Sequence, residues 1–214
     1  MNRDHKLPRI GLVNRKDFVL DRCRGQWVLH LGACGDLPFH QELSVTANVV
    51  GLDIDEQAIK EAKGSGVNNI IYGNVEDLDV LPVDANFDII LAGEIIEHLS
   101  NPGRFLDAVK KLFSPHTRMI ITTPNAFCLH RWLYRLLAGA EHVNPEHTCY
   151  YSLITLEHLL IRHDFRIAGR YYWHSGLWFE KVYKWLPNHV ASGLIFIVEG
   201  VTQQPSTVVG PSLF

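Results

Sequence analysis

The chain has little of what would mark a nucleic-acid binder, a disulfide scaffold or a membrane protein. Its 20 basic residues are outnumbered by 23 acidic ones, giving a formal charge of -3, so no basic surplus argues for DNA as a partner. The four cysteines, Cys23, Cys34, Cys128 and Cys149, show no CxxC spacing. At this length that speaks against a disulfide framework and for a reducing compartment. No apolar run approaches the roughly 20 residues that cross a bilayer, and the polar residues 1–6 lead into no apolar signal core. There is no internal repeat and no low-complexity segment. The expectation is a soluble, cytoplasmic protein without stable membrane insertion, its oligomeric state open. Twelve histidines are many but scattered, so their number alone implies no metal.

What is present suits one compact domain: 214 residues with 47% hydrophobic content can bury a sizeable core. The expected domain covers 1–201, followed by a loose tail over 202–214. The chain is organised around Val28-Leu29-His30-Leu31-Gly32-Ala33-Cys34-Gly35-Asp36, an apolar run entering a glycine-bearing turn. A second apolar run, Val49-Val50-Gly51-Leu52, ends on Asp53. Strand, glycine turn, helix, strand, acid is the order by which a doubly wound α/β domain holds the nucleoside part of a cofactor. Only Gly32 and Gly35 stand where a dinucleotide fingerprint has three glycines, which disfavours a nicotinamide-dependent oxidoreductase.

The remaining pattern alternates strands and helices. Residues 1–13 read as an irregular arm and 14–23 as a helix with Asn14 as N-cap. Strands are expected at 27–31, 48–53, 69–72, 87–92 and 118–122, the fourth an unbroken apolar run of the kind buried on both faces of a parallel sheet. Helices are expected at 37–45, 56–63 and 102–113. After Pro124 the rhythm changes. Residues 126–140 carry Arg131, Trp132, Tyr134 and Arg135 on a helical pattern, and 141–152 form a polar, histidine-bearing loop, so 126–151 reads as a lid inserted after the fifth strand. A helix at 155–163 and strands at 165–173 and 194–198 follow, flanking a segment with Trp178, Phe179, Tyr183 and Trp185.

Three further groups fall at the carboxyl ends of successive strands, where open α/β sheets bind ligands: Glu76-Asp77, Gly93-Glu94 and Thr123-Pro124-Asn125. The run from Phe87 through Glu94-Ile95-Ile96-Glu97-His98 to Gly103 resembles the fourth-strand region of class I S-adenosylmethionine-dependent methyltransferases, of the ubiquinone-pathway O-methyltransferase type. Met119-Ile120-Ile121-Thr122-Thr123-Pro124-Asn125 is similar to their fifth strand, and Val50-Gly51-Leu52-Asp53-Ile54-Asp55 to their second. The resemblance covers about residues 25–170 and implies a Rossmann-like, doubly wound, mostly parallel seven-stranded sheet with helices on both faces. It implies S-adenosyl-L-methionine as cofactor. His30, Gly32, Ala33 and Cys34 would lie by the methionine part, Asp53 on the ribose, and Ile54 against the adenine. Asn74, Val75 and Glu76 would reach the adenine edge, with Ala92, Gly93 and Glu94 beside the departing methyl. The family pattern has an acid at the position of His30 and glycines at those of Cys34 and Asp36.

Glu94, His98 and His147 are the catalytic candidates. Glu94, Glu97 and His98 are three and four residues apart, so one helical turn brings them to one side. Two carboxylates and an imidazole can bind a divalent cation, and the run resembles the metal motif of small-RNA 2'-O-methyltransferases. The favoured reading is without metal: Glu97 caps the following helix and His98 packs beneath the cofactor. His147 either takes a proton from the acceptor or tethers its loop. The expected activity is methyl transfer to a small-molecule or glycan-precursor acceptor, with oxygen favoured over nitrogen or carbon. A non-catalytic cofactor-binding module and a metal-dependent 2'-O-methyltransferase of RNA are the alternatives. Arg131 and Arg135 beside aromatics leave a lipid-linked or phosphorylated acceptor open.

Overall fold

The computed structural model describes residues 10–81, 86–140, 144–174 and 186–200. Its strands are β1 (Gly11–Val13), β2 (Trp27–Leu31), β3 (Asn48–Asp53), β4 (Ile70–Tyr72), β5 (Ile89–Gly93), β6 (Arg118–Pro124), β7 (Phe165–Trp173) and β8 (Gly193–Gly200). Its helices are α1 (Arg15–Cys23), α2 (Leu37–Thr46), α3 (Glu56–Gly64), α4 (Pro102–Lys110), α5 (Leu129–Ala138) and α6 (Leu153–Arg162). The strands form one sheet in the order β1-β7-β8-β6-β5-β2-β3-β4. All pairings are parallel except those of β8, which runs antiparallel to β6 and β7.

The sheet is doubly wound and mostly parallel, as the sequence pattern predicts, but it has eight strands instead of seven. The extra strand is β1, inside the segment read as an irregular arm. It pairs with β7 through Gly11–Tyr171, Leu12–Tyr172 and Val13–Trp173. Three residues carry no readable alternation, so only the partner strand reveals it. Strand ends also move: β6 runs through Thr123 and Pro124, because β8 pairs with it as far as Gly193. The segment with Trp178, Phe179, Tyr183 and Trp185, residues 141–143 of the polar loop, and the tail 202–214 lie outside the described residues.

Strand alternation divides the core between the two faces. Leu29 and Leu31 of β2, with Met119 and Ile121 of β6, pack with Phe105 and Leu106 of α4 and Leu156 and Leu160 of α6. Val28 and Ile120 point the other way, toward Phe18 and Val19 of α1 and Leu43 of α2. Five caps set helix starts: Asn14 accepts from Asp17 N at 3.2 Å, Asp36 from Phe39 N at 3.3 Å, Asp55 from Ala58 N at 2.9 Å, Asn101 from Arg104 N at 2.9 Å, and Ser152 with Thr155 forms a capping box. Asp36 stands where the family pattern has glycine and supplies the cap of α2. From β2 the chain winds outward to β4, then returns to β5 on the other side of β2. The crevice at that switch lies over the carboxyl ends of β2, β3 and β5.

Candidate functional site

The turn after β2 begins with Gly32 at φ 69°, where a Cβ would sit 3.1 Å from Ile95 Cδ1. Glycine meets both demands at no steric cost. The turn is fastened to the next strand through Asp53, which is 8% exposed. Its Oδ2 accepts the Cys34 N–H at 2.7 Å and its Oδ1 the Asp55 N–H at 3.0 Å. Each oxygen keeps a lone pair for a ligand. Beyond it opens a cavity of about 320 Å³ lined by Gly32, Asp53, Ile54, Asn74, Val75, Glu76, Ile95 and His98. Ile54 is exposed on its wall. Asn74 Oδ1 accepts the Glu76 N–H at 2.9 Å, and Glu76 Oε1 accepts the Asn101 N–H at 3.0 Å, holding the adenine-side loop against the start of α4. Six of the residues expected around a nucleoside therefore line one cavity. Ala33 is buried against α3 and β4. Cys34 contributes its backbone, and burial pushes its thiol up to about 11.

Ala92 and Gly93 end β5, between Leu31 and Thr122 of the flanking strands. Glu94 follows at φ 53°, a left-handed backbone that costs a non-glycine residue on the order of 1–3 kcal/mol. Thr122 holds it there: its Oγ1 donates to Glu94 Oε1 at 2.8 Å, and its carbonyl accepts the Glu94 N–H at 3.0 Å. Burial raises the Glu94 carboxyl above its ordinary range, opposed by Arg15 and by the Thr122 hydrogen bond. Arg15, from α1, reaches across the crevice. Its guanidinium lies 3.8 Å from Glu94 Oε1 and 3.9 Å from Asp36 Oδ2, over the Trp173 ring at 5.1 Å.

Glu97, His98 and His147 form a second group, with one ligand atom of each within 4.8 Å of the others. Glu97 is fully buried. Its Oε2 accepts from Thr123 Oγ1 at 3.0 Å, while its Oε1 is buried without a partner among the described residues, as is His147 Nδ1. Burial first, then the charge of Glu94, pushes the Glu97 carboxyl up to about 8. Burial, His98 and Arg131 lower the His147 imidazole. The His98 and His147 rings meet edge-on at 4.5 Å. The loop bearing His147 is pinned from below: Thr148 N and Oγ1 donate to the Glu97 carbonyl at 2.8 and 3.0 Å.

The expected helix cap by Glu97 is not what the carboxylate does; Asn101 caps α4, and Glu97 turns to Thr123 and the histidines. An orphaned carboxylate oxygen and an orphaned imidazole nitrogen beside a second imidazole suit a divalent cation, which takes carboxylate oxygen and neutral imidazole. Glu94 stands apart from this group, in the Arg15–Thr122 contact. Sequence reasoning placed Thr123 at a ligand-binding strand end but missed Arg15, Thr122 and Thr148. The Thr122-Thr123 pair closing an apolar strand is a readable signal; Arg15 carries none.

A family model described as a methyltransferase domain matches residues 24–168. The ubiquinone biosynthesis O-methyltransferase of Coxiella burnetii is 32% identical over 124 residues, covering 56% of this chain and 52% of that one. Its mitochondrial counterpart in Schizosaccharomyces pombe is 29% identical over 143 residues, covering 60% and 50%. The chain thus spans about half the length of the curated relatives it matches. Among solved structures, a SAM-dependent methyltransferase from Archaeoglobus fulgidus superposes with a TM-score of 0.59 at 17% identity, covering 86% of this chain and 93% of that one. Magnesium protoporphyrin IX methyltransferase from Synechocystis with bound SAH gives 0.60 at 15% identity, covering 87% and 82%.

Proposed function

The chain belongs to the methyltransferase-domain family, in the class I S-adenosylmethionine-dependent group, and on that premise we propose that it transfers a methyl group from S-adenosylmethionine to a hydroxyl of a small-molecule acceptor. The observation that carries the reading is the cavity between Gly32, Asp53 and Asn74–Glu76, whose polar groups match a nucleoside. Asp53 holds the ribose hydroxyls with the lone pairs its two backbone contacts leave free. Ile54 packs on the adenine. Arg15, already between two acids at the methionine end, takes the carboxylate. Oxygen as the acceptor atom follows the curated relatives, named as O-methyltransferases.

The sulfonium supplies an activated methyl, so this chain has three tasks: alignment, exclusion of water and handling of the acceptor's proton. Glu94 and Ala92 wall the methyl position. His147, held neutral by burial, accepts the hydroxyl proton at the imidazole. The segment 126–151 closes over this point as an acceptor-selecting lid.

The orphaned Glu97 Oε1 and His147 Nδ1 favour a second reading of the same site. In this second reading, which replaces proton acceptance by His147, Glu97, His98 and His147 would hold a divalent cation, and the cation would lower the pKa of an acceptor hydroxyl. Thr123 then orients Glu97 from behind. The test is incubation with ¹³C-methyl donor and a panel of phenols, amines and thiols. A labelled methyl ether is the expected product; label on nitrogen or sulfur alone would overturn the choice of oxygen.

A further inference from the structure

The 126–151 segment carries two donors that the methyl transfer described above does not use. Arg131 of α5 and Tyr150, near the far end of the segment, meet across a ring face: the guanidinium carbon lies over the Tyr150 ring at 4.3 Å. Both residues are half-buried, yet polar ends are among the covered parts. Arg131 Nη1 and the Tyr150 hydroxyl are buried and have no hydrogen-bond partner among the described residues. A guanidinium nitrogen can only donate, and a phenol hydroxyl can donate too. Buried donors without an acceptor are rare, because each has lost the hydrogen bonds that water would give it.

These donors adjoin the group that handles the acceptor's proton. The Tyr150 ring meets His147 edge-on at 5.4 Å, and His147 meets His98 at 4.5 Å. His98 in turn lines the nucleoside cavity. The Arg131 charge is felt at Glu94, Glu97 and His147. Neither acid is its hydrogen-bond partner: Glu94 contacts Arg15 and Thr122, and Glu97 accepts from Thr123. A guanidinium seated over a ring face keeps the N–H groups of its edge for an anion.

We propose that Arg131 Nη1 and the Tyr150 hydroxyl bind an oxyanion carried by the methyl acceptor, a carboxylate or a phosphate, so that the protein selects acceptors with a negative charge near the hydroxyl to be methylated. This rests on the acceptor and lid readings given above. Two donors match two oxygens of either group, and the fixed cation offsets its charge. Because Tyr150 touches His147, the oxyanion at the one and the hydroxyl at the other belong to a single small molecule. An acceptor that bridges α5 and Tyr150 ties the two ends of the segment together, so the contact that selects it also closes the site.

The test saturates the protein with S-adenosylhomocysteine and titrates it calorimetrically with benzoate, phenyl phosphate and the neutral isostere benzamide. At least one anion should bind about tenfold or more tightly than benzamide, the range for a hydrogen bond to a charged group. Arg131→Gln should erase that preference and Tyr150→Phe, which keeps the ring, should reduce it, both with S-adenosylhomocysteine affinity unchanged. A preference for benzoate assigns the subsite to a carboxylate, and one for phenyl phosphate assigns it to a phosphate. No binding of either anion, affinity no better than that of benzamide, or a preference that survives Arg131→Gln overturns the subsite and leaves methyl transfer standing. Failure of the unaltered protein to bind S-adenosylhomocysteine overturns the cofactor reading itself.

Discussion

Asp53, the last residue of β3, accepts the backbone N–H of Cys34 at 2.7 Å, so the turn after β2 and the acid after β3 are one unit. This contact runs through the backbone N–H of Cys34, which a cysteine supplies as well as a glycine. Asp53→Ala removes a ribose acceptor and frees this turn together. It should weaken S-adenosylhomocysteine binding by about 1.5–3 kcal/mol, read as a smaller ligand-induced rise in melting temperature. An unchanged rise would remove Asp53 from the ribose.

The group of Glu97, His98 and His147 predicts metal dependence. Chelation with EDTA should abolish most turnover, and manganese or magnesium should restore it. Glu97→Gln keeps the shape but not the charge, and should weaken manganese binding by at least about tenfold. Full activity in the chelator would return Glu97 to a purely structural part, held by Thr123.

The β2–Gly32–α2–β3–Asp53 unit is legible in the amino-acid sequence because turn glycine, apolar strands and a closing acid are local signals. The Glu94-x-x-Glu97-His98 run is equally local, but its geometry is not. The sequence places the three side chains on one helical turn, whereas residues 96–98 form a turn outside any helix and Glu94 takes a left-handed backbone. That conformation turns Glu94 toward Thr122 and Arg15, and Glu97 toward His147, contacts that depend on residues 28 to 79 positions away in the chain. His30 lies outside the cavity lining, buried against His40 with Nδ1 facing Nδ1 at 3.1 Å, and His40 reaches Asn69. That network is hidden for the same reason: its members meet only when α2 folds over β2 and β3.

The buried pair of His30 and His40 predicts an acid weakness. A histidine whose folded pKa is depressed lends stability above its ordinary value near 6.5, and that stability drains as the pH falls toward the folded value, here about 3. Between pH 6.5 and 5 His30 alone should cost about 2 kcal/mol. Urea unfolding at the two values should show that loss in the native protein and a smaller one in His30→Phe. Equal losses would contradict the buried neutral pair.

The lid reading makes a kinetic prediction. None of the residues of α5 is buried, and Leu137 is 82% exposed, yet the segment's base is closed by the Asn125–Tyr151 bridge. Hydrogen exchange should be fast over 129–138, slow across β2, β5 and β6, and slowed selectively in α5 by the acceptor. His147→Ala should lower turnover on the order of a hundredfold while S-adenosylhomocysteine affinity stays within roughly twofold. Protection of α5 equal to the sheet in the free protein would remove the lid.

The central claim is that the crevice over β2, β3 and β5 holds S-adenosylmethionine. Calorimetric titration of the purified chain with S-adenosylhomocysteine, and separately with NAD, tests it most directly. The account predicts one-to-one binding of S-adenosylhomocysteine, abolished or weakened by Asp53→Ala, and no heat from NAD. No binding of S-adenosylhomocysteine, or tighter binding of NAD, would contradict it.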